Sequence, residues 1–143
     1  MTKGFRFLEH TADAFIEAYG ANLEEAFESA GAAMTDVMTE LEKVEPKDES
    51  KFRVEGKDEP ALLYNWLEEL LLEYELKGKL YSRFKISKIE KTNEGFKLHA
   101  KAWGEDYSSE KHPSKVGIKA ATYHQMKIIK KPKLVTVRFI LDI

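Results

Sequence analysis

Leu134-Val135-Thr136-Val137-Arg138-Phe139-Ile140-Leu141-Asp142-Ile143 reads as an apolar strand that runs to the last residue of the sequence, with an acid in the penultimate place. Alternation puts Val135, Val137, Phe139 and Leu141 on one face and Thr136, Arg138, Ile140 and Asp142 on the other. Chain termini are usually polar and loosely held. Here the Asp142 side chain and the α-carboxylate of Ile143 are forced close together, and like charges on an apolar strand repel unless something positive lies between them. A bound cation, or a Lys, Arg or His partner, is the expected relief.

Upstream, Val116 to Tyr123 and Gln125 to Ile129 read as strands, with Pro132 in the turn before the last one. Phe96, Leu98, Ala100 and Ala102 alternate with Lys97, His99, Lys101 and Trp103, the pattern of a half-buried strand. Arg83 to Ile89 alternates likewise; Phe5 to Leu8, Ala14 to Tyr19 and Phe52 to Val54 are shorter strands. Two segments are helical. Asn22 with Glu25 three residues on makes a capping-box-like start. Ala26, Phe27, Ala30, Ala33, Met34 and Val37 then recur at the spacing of one buried face, ending near Thr39. Glu59-Pro60 opens the second helix, whose wide apolar face holds Leu62, Leu63, Trp66, Leu67, Leu70 and Leu71 until Gly78 ends it. The stretch 42–50 reads as charged linker and 106–114 as a polar loop carrying His112. Two helices among seven to eight mostly adjacent strands imply a single α+β domain over 1–143. The expected form is a two-layer sandwich, both helices on one face of a mostly antiparallel or mixed sheet.

The composition is that of an ordinary globular domain: 143 residues, 43% apolar and 34% charged. Lys and Arg number 23 against 25 Asp and Glu, and that balance argues against direct nucleic-acid contact. The Lys-rich stretch 127–133 reads as a protected hairpin tip. With no cysteine, disulfides, thiolate nucleophiles and Cys-based zinc sites are excluded. No secretory signal and no stretch near the ~20 apolar residues of a membrane span is visible, so the expectation is a cytoplasmic protein.

The polar residues that stand out are His10, Asp13, Glu105, His112, His124 and Asp142. Carboxylates without thiols favour a hard cation such as calcium or magnesium. Each has a plainer reading. His10 suits a loop hydrogen bond, Asp13 an Asx-type turn, Glu105 a solvated strand end, His112 the surface, and His124 a paired sheet position. Asp142 is the hardest to dismiss, because a second carboxylate adjoins it. No metalloprotease, calcium-loop, phosphate-loop or nucleophile-elbow motif is present. Spacing alone points to a hard-cation site made from both ends of the chain.

His10-Thr11-Ala12-Asp13, Gly104-Glu105, His112, Lys119-Ala120-Ala121-Thr122-Tyr123-His124 and the terminal Asp142-Ile143 together resemble the archease family, in order and over essentially the whole chain. Ala18-Tyr19-Gly20 and Leu62-Leu63-Tyr64-Asn65-Trp66-Leu67 support the match. Phe15 and Ala121 depart from the usual pattern without touching a proposed ligand. The resemblance implies a protein cofactor, not an enzyme, serving the RtcB-type tRNA-splicing ligase. That ligase joins RNA 2′,3′-cyclic phosphate or 3′-phosphate ends to 5′-hydroxyls, using GTP and manganese. The cofactor would promote guanylylation of the ligase histidine and multiple turnover. The resemblance also implies a divalent ion, Ca2+ foremost with Mg2+ or Mn2+ as alternatives, held by Asp13, Asp142 and Ile143. His10, Glu105, Lys119 and His124 are further candidates. Two rivals compete with this reading. One is a chaperone-like adaptor of another tRNA enzyme, such as a tRNA cytosine methyltransferase. The other is a metal-dependent hydrolase using Asp13, Glu105, His112 and His124.

Overall fold

A computed structural model describes residues 3–8 and 13–143. In chain order the elements are β1 (Gly4–Leu8), β2 (Ala14–Gly20), α1 (Leu23–Met38), β3 (Asp48–Gly56), α2 (Glu59–Lys77), β4 (Lys79–Thr92), β5 (Gly95–Asp106), β6 (Ala120–Ala121), β7 (Lys127–Lys131) and β8 (Leu134–Asp142). Both helices start where the sequence caps them. The Asn22 side chain accepts the Glu25 N–H at 2.9 Å, and the Glu25 carboxylate reaches back to the Ala21 N–H at 2.9 Å. Asp58 caps α2 by accepting the Ala61 N–H at 2.8 Å. That helix stops at Gly78, whose left-handed φ of 65° lets its N–H close onto the Tyr74 carbonyl.

The expected α+β architecture is present: two helices packed against eight strands, every pairing antiparallel. The strands fall into two ladders. In one the order is β1-β2-β8-β6, with β7 on the same edge of β8 as β6; in the other it is β3-β5-β4. Helix α1 lies on β2 and on β4, so it joins the two ladders, while α2 lies chiefly on β3. A single core runs between them. Trp66 of α2 sits at its centre, fully buried, with Phe52 and Phe84 edge-on at 5.7 and 6.2 Å. Its indole N–H donates to the Phe27 carbonyl of α1 at 3.0 Å, tying the two helices together.

Strand β4 breaks register with β5 twice, at Ser82 and at Ser87, and α1 supplies a partner beside each break. Thr35 donates to the Tyr81 carbonyl at 2.7 Å, and Glu28 accepts the Ile86 N–H at 2.7 Å while also pairing with Lys3. Buried polar groups at bulges need such partners.

Four details differ from the sequence reading. Strand β3 occupies part of the presumed linker, because Glu49, Lys51, Arg53 and Glu55 face out while Phe52 and Val54 face in. Residues 113–119 are irregular, since the edge of β8 ends at Asp142 and offers a ladder only from Ala120 onward. Residues 122–126 bow outward, five of them standing opposite only Phe139 and Ile140. His112 is buried at 1% exposure, not on the surface. The apolar-face assignment on β8 is as expected for Val135, Val137, Phe139 and Leu141, but Ile140 on the other face is buried as well.

Trp66→Ala removes the central ring and the bond between helices. Urea unfolding should show a loss of about 3–5 kcal/mol; a loss below about 1 kcal/mol would place the centre of the core elsewhere.

Candidate functional site

Strand β8 is flanked by β2 on one edge and by β6 on the other, and the registers bring three distant segments to its end. Ala14 pairs with Leu141, which carries Asp13 to the place opposite Asp142. Opposed residues of an antiparallel ladder stand about 4.5–5.5 Å apart at Cα. On the other edge Ala120 pairs with Asp142, and the Lys119 N–H donates to the Asp142 carbonyl at 2.7 Å. Asp13, Asp142 and Ile143 are half-buried, and Lys119 is exposed beside them. Four of the candidates therefore meet at one strand end. His10 lies outside the described residues.

The other candidates are elsewhere. His124 sits exposed in the outward turn between β6 and β7, not in a paired sheet position. Glu105 ends β5 in the other ladder and is buried at 7% exposure. Gly104 sets it there: a Cβ at that position would fall 1.7 Å from the Leu80 carbonyl oxygen. The Glu105 carboxylate takes Lys111 Nζ at 2.8 Å, His112 Nε2 at 2.9 Å and the Glu45 N–H at 2.9 Å. The Ser108 N–H donates to His112 Nδ1 at 2.9 Å, so the ring proton resides on Nε2 and points at Glu105. Both nitrogens of His112 are thus engaged, and neither is open to a metal. Burial alone would raise the Glu105 carboxyl, but the bonds from Lys111, Glu45 and His112 outweigh it and hold it at about 2. Among the described residues no three His, Asp or Glu side chains converge as a metal site.

The Glu105 cluster is an anchor for the irregular stretch that leads to Lys119. Lys115 continues the anchoring: its N–H donates to the Met38 carbonyl at 3.0 Å and its Nζ to the Asp36 carbonyl at 2.6 Å, closing the C-terminus of α1. Beyond Lys119, Glu68 of α2 accepts the Ala121 N–H at 2.7 Å, and Tyr64 stacks on Tyr123 at 4.4 Å. Lys111 and Lys115 are not singled out by sequence pattern, and Tyr64 and Glu68 only as part of a helical stretch. Lys115, Glu68 and Tyr64 are ordinary residues whose partners lie far along the chain, and Lys111 joins Glu105, six residues back, to Glu45.

Two antiparallel ladders joined by two helices define an α+β class of protein, and among the described residues no helix is long and apolar enough to cross a membrane. Residues 5–143 match the archease protein family. The chain belongs to that family. Protein archease of Pyrococcus abyssi is 49% identical over 130 residues, 91% of each chain. The Sulfurisphaera tokodaii protein archease is 45% identical over 139 residues, 97% of this chain and 98% of its own. A Methanobacterium thermoautotrophicum protein solved in solution has the same fold, with a TM-score of 0.81 and 38% identity, covering 98% of this chain and 99% of that one. A Thermotoga maritima crystal structure, described as an archease and possible chaperone, shares the fold at a TM-score of 0.60 and 19% identity, covering 96% of each chain.

Because the Glu105 carboxyl is held low when folded, its stabilisation is complete above its unfolded value near ~4.3 and fades as pH falls toward 2. Glu105→Gln should cost about 2–3 kcal/mol at pH 7, and the gap to the parent should narrow steadily between pH ~4.5 and ~2. Urea midpoints across that range measure it; a gap independent of pH would contradict the ionic account.

Proposed function

We propose that this chain is an activating protein cofactor of an RtcB-type tRNA-splicing ligase, acting through a divalent ion at the end of β8. The observation that carries the proposal is the double register on that strand, which sets Asp13 opposite Asp142 and Lys119 against the Asp142 backbone. Two side-chain carboxylates and the carboxylate of Ile143 form an all-oxygen donor set suited to a hard cation, Ca2+ first, with Mg2+ or Mn2+ compatible. These donors fall short of the six to eight oxygens Ca2+ usually takes. The remaining positions would go to water or to groups of the partner, which suits an ion presented to another protein's site. The ion would supply positive charge to a nucleotide phosphate. The chain's own part is to hold two acids rigidly at a strand end, where the Lys119 N–H fixes the Asp142 backbone. In the ligase, the tip would enter near the nucleotide pocket and favour attack of the histidine on GTP.

A second reading has one specific observation behind it. Leu72 and Leu76 stand on successive turns of α2 at 44% and 72% exposure. Such a pair suits a chaperone-like adaptor, in keeping with the possible-chaperone description of the Thermotoga maritima relative. The partner would then be another tRNA enzyme such as a cytosine methyltransferase. Capture of that enzyme, abolished by Leu76→Asp, distinguishes the two. The hydrolase reading has no support: Glu105 and His112 bond each other, but neither Asp13 nor His124 joins them, and among the described residues no three such side chains converge.

Asp13→Asn and Asp142→Asn should each weaken ion binding by about tenfold or more, read by terbium luminescence, and abolish stimulation of ligase guanylylation. Normal stimulation by both variants would refute the proposal. A peptide extension after Ile143 should also weaken ion binding, since it converts that carboxylate to an amide; unchanged affinity would remove Ile143 from the ligand set.

A further inference from the structure

We propose that the outer face of the three-stranded sheet binds single-stranded RNA through its phosphate backbone. Cross-strand registers arrange this face in rows. Lys51, Lys101 and Lys85 form one row, and Arg53, His99 and Lys88 form the next. These two middle rows hold five Lys or Arg side chains and a histidine, with no acid. The acids are confined to the rows on either side, where Glu55 and Glu90 flank Lys97, and Glu49 shares its row with Trp103 and Arg83. Glu90 reaches back to His99 at 2.7 Å and Lys88 at 3.5 Å, and Glu49 approaches Lys101 only to 3.9 Å. Among the described residues Lys51, Arg53 and Lys85 have no ion pair, and all three are exposed.

Like charges set directly opposite one another across strands are destabilising. A row of three lysines beside a second cationic row is therefore a cost to the fold, which an anion laid along it would remove. The face is also shaped to receive one. The bulge at Ser87 opens a depression of about 540 Å³ lined by Lys51, Arg53, Lys85, Ser87, His99 and Lys101. At its end Trp103 lies half-buried with the Arg83 guanidinium 4.8 Å from its ring centre, a π surface with a cation attached. Cationic grooves with aromatic platforms are how single strands are held without sequence preference. Three strands span only about 10 Å, the width of one sugar-phosphate chain. Both helices pack on the opposite face, so nothing within the described fold covers this one. The choice of RNA over DNA rests on the ligase reading above; the choice of a single polyanionic strand does not.

The test is fluorescence anisotropy of the isolated chain with a labelled oligo(U) of about 20 nucleotides. Binding should weaken about fifty-fold between 50 and 200 mM salt, the dependence for about four phosphate contacts to a single strand. The triple variant Lys51→Ala, Lys85→Ala, Lys101→Ala should bind at least about tenfold more weakly and melt no lower than the parent, because opposed like charges have been removed. Lys→Arg at the same positions should restore binding, and the double variant Arg53→Ala, Lys85→Ala provides an independent loss. Absence of binding by the parent, or equal binding by both loss variants, overturns the proposal. Oligo(dT) or duplex RNA competing as well as oligo(U) overturns the assignment to single-stranded RNA, and polyglutamate doing so would assign the face to an acidic protein. RNA-free guanylylation of the ligase, run in parallel, needs only the acidic tip. Its failure with the parent counts against the ligase reading alone, and its survival in an RNA-blind parent counts against this inference alone.

Discussion

The last strand, β8, is hydrogen-bonded along both edges, and most of what matters in this molecule follows from that constraint. One edge belongs to β2 and the other is shared by β6 and β7. Antiparallel pairing then forces the start of β2 and the approach to β6 to the same end of the strand. Asp13, Lys119 and Asp142 are remote in order and adjacent in space for no other reason. The inner face of the strand is held by Val137, Phe139 and Leu141, all at 0% exposure, so this end of the strand is not free to fray. On the outer face Arg6 and Arg138 hold Glu17 between them at 2.6 and 2.8 Å, fastening three strands in one row. The hydrogen bond from Arg6, helped by Arg138, keeps the Glu17 carboxyl below its usual range despite burial.

The buried polar side chains are used to build rather than to react. Glu28 and Thr35 bond the backbone of β4 beside its two bulges, and Glu105 with His112 and Lys111 pins the start of the long irregular stretch. Each bond is stronger for being away from water, and each would be costly if left half-made. Together with Lys115 on the end of α1 and Glu68 on β6, they turn a stretch with little regular structure into a fixed path to the acidic tip. A buried His–Glu pair in such a place invites a catalytic reading. The engagement of both ring nitrogens of His112 argues for support instead.

Much of the fold was legible from local pattern. Both helices were readable to within a residue or so, because Asn22, Pro60 and Gly78 act on the backbone only at or near their own positions. Strands with clean alternation, such as β5 and β8, were equally plain. The loop at 107–114 was legible, but 116–126 was not: its residues look strand-forming, yet a strand exists only where a partner edge is available, and the edge of β8 gives out. His112 was misjudged for a related reason, since a polar loop residue becomes buried only when a carboxylate from another strand closes over it. Net charge is silent on placement for the same reason. A total of −2 says nothing of how alternation sorts lysines onto one face of a three-stranded sheet and acids onto its borders.

By itself the amino-acid sequence determined the elements, the fold class, the family resemblance and the acidity of the tip. These depend on neighbours within a turn of helix or a few strand residues, or on residue identity alone. The tertiary structure decided which acids share a place, which titratable groups are braces, and where positive charge collects. Those properties come from registers between strands that are up to a hundred residues or more apart, and registers are set by the packing of the whole core rather than by any local run of residues.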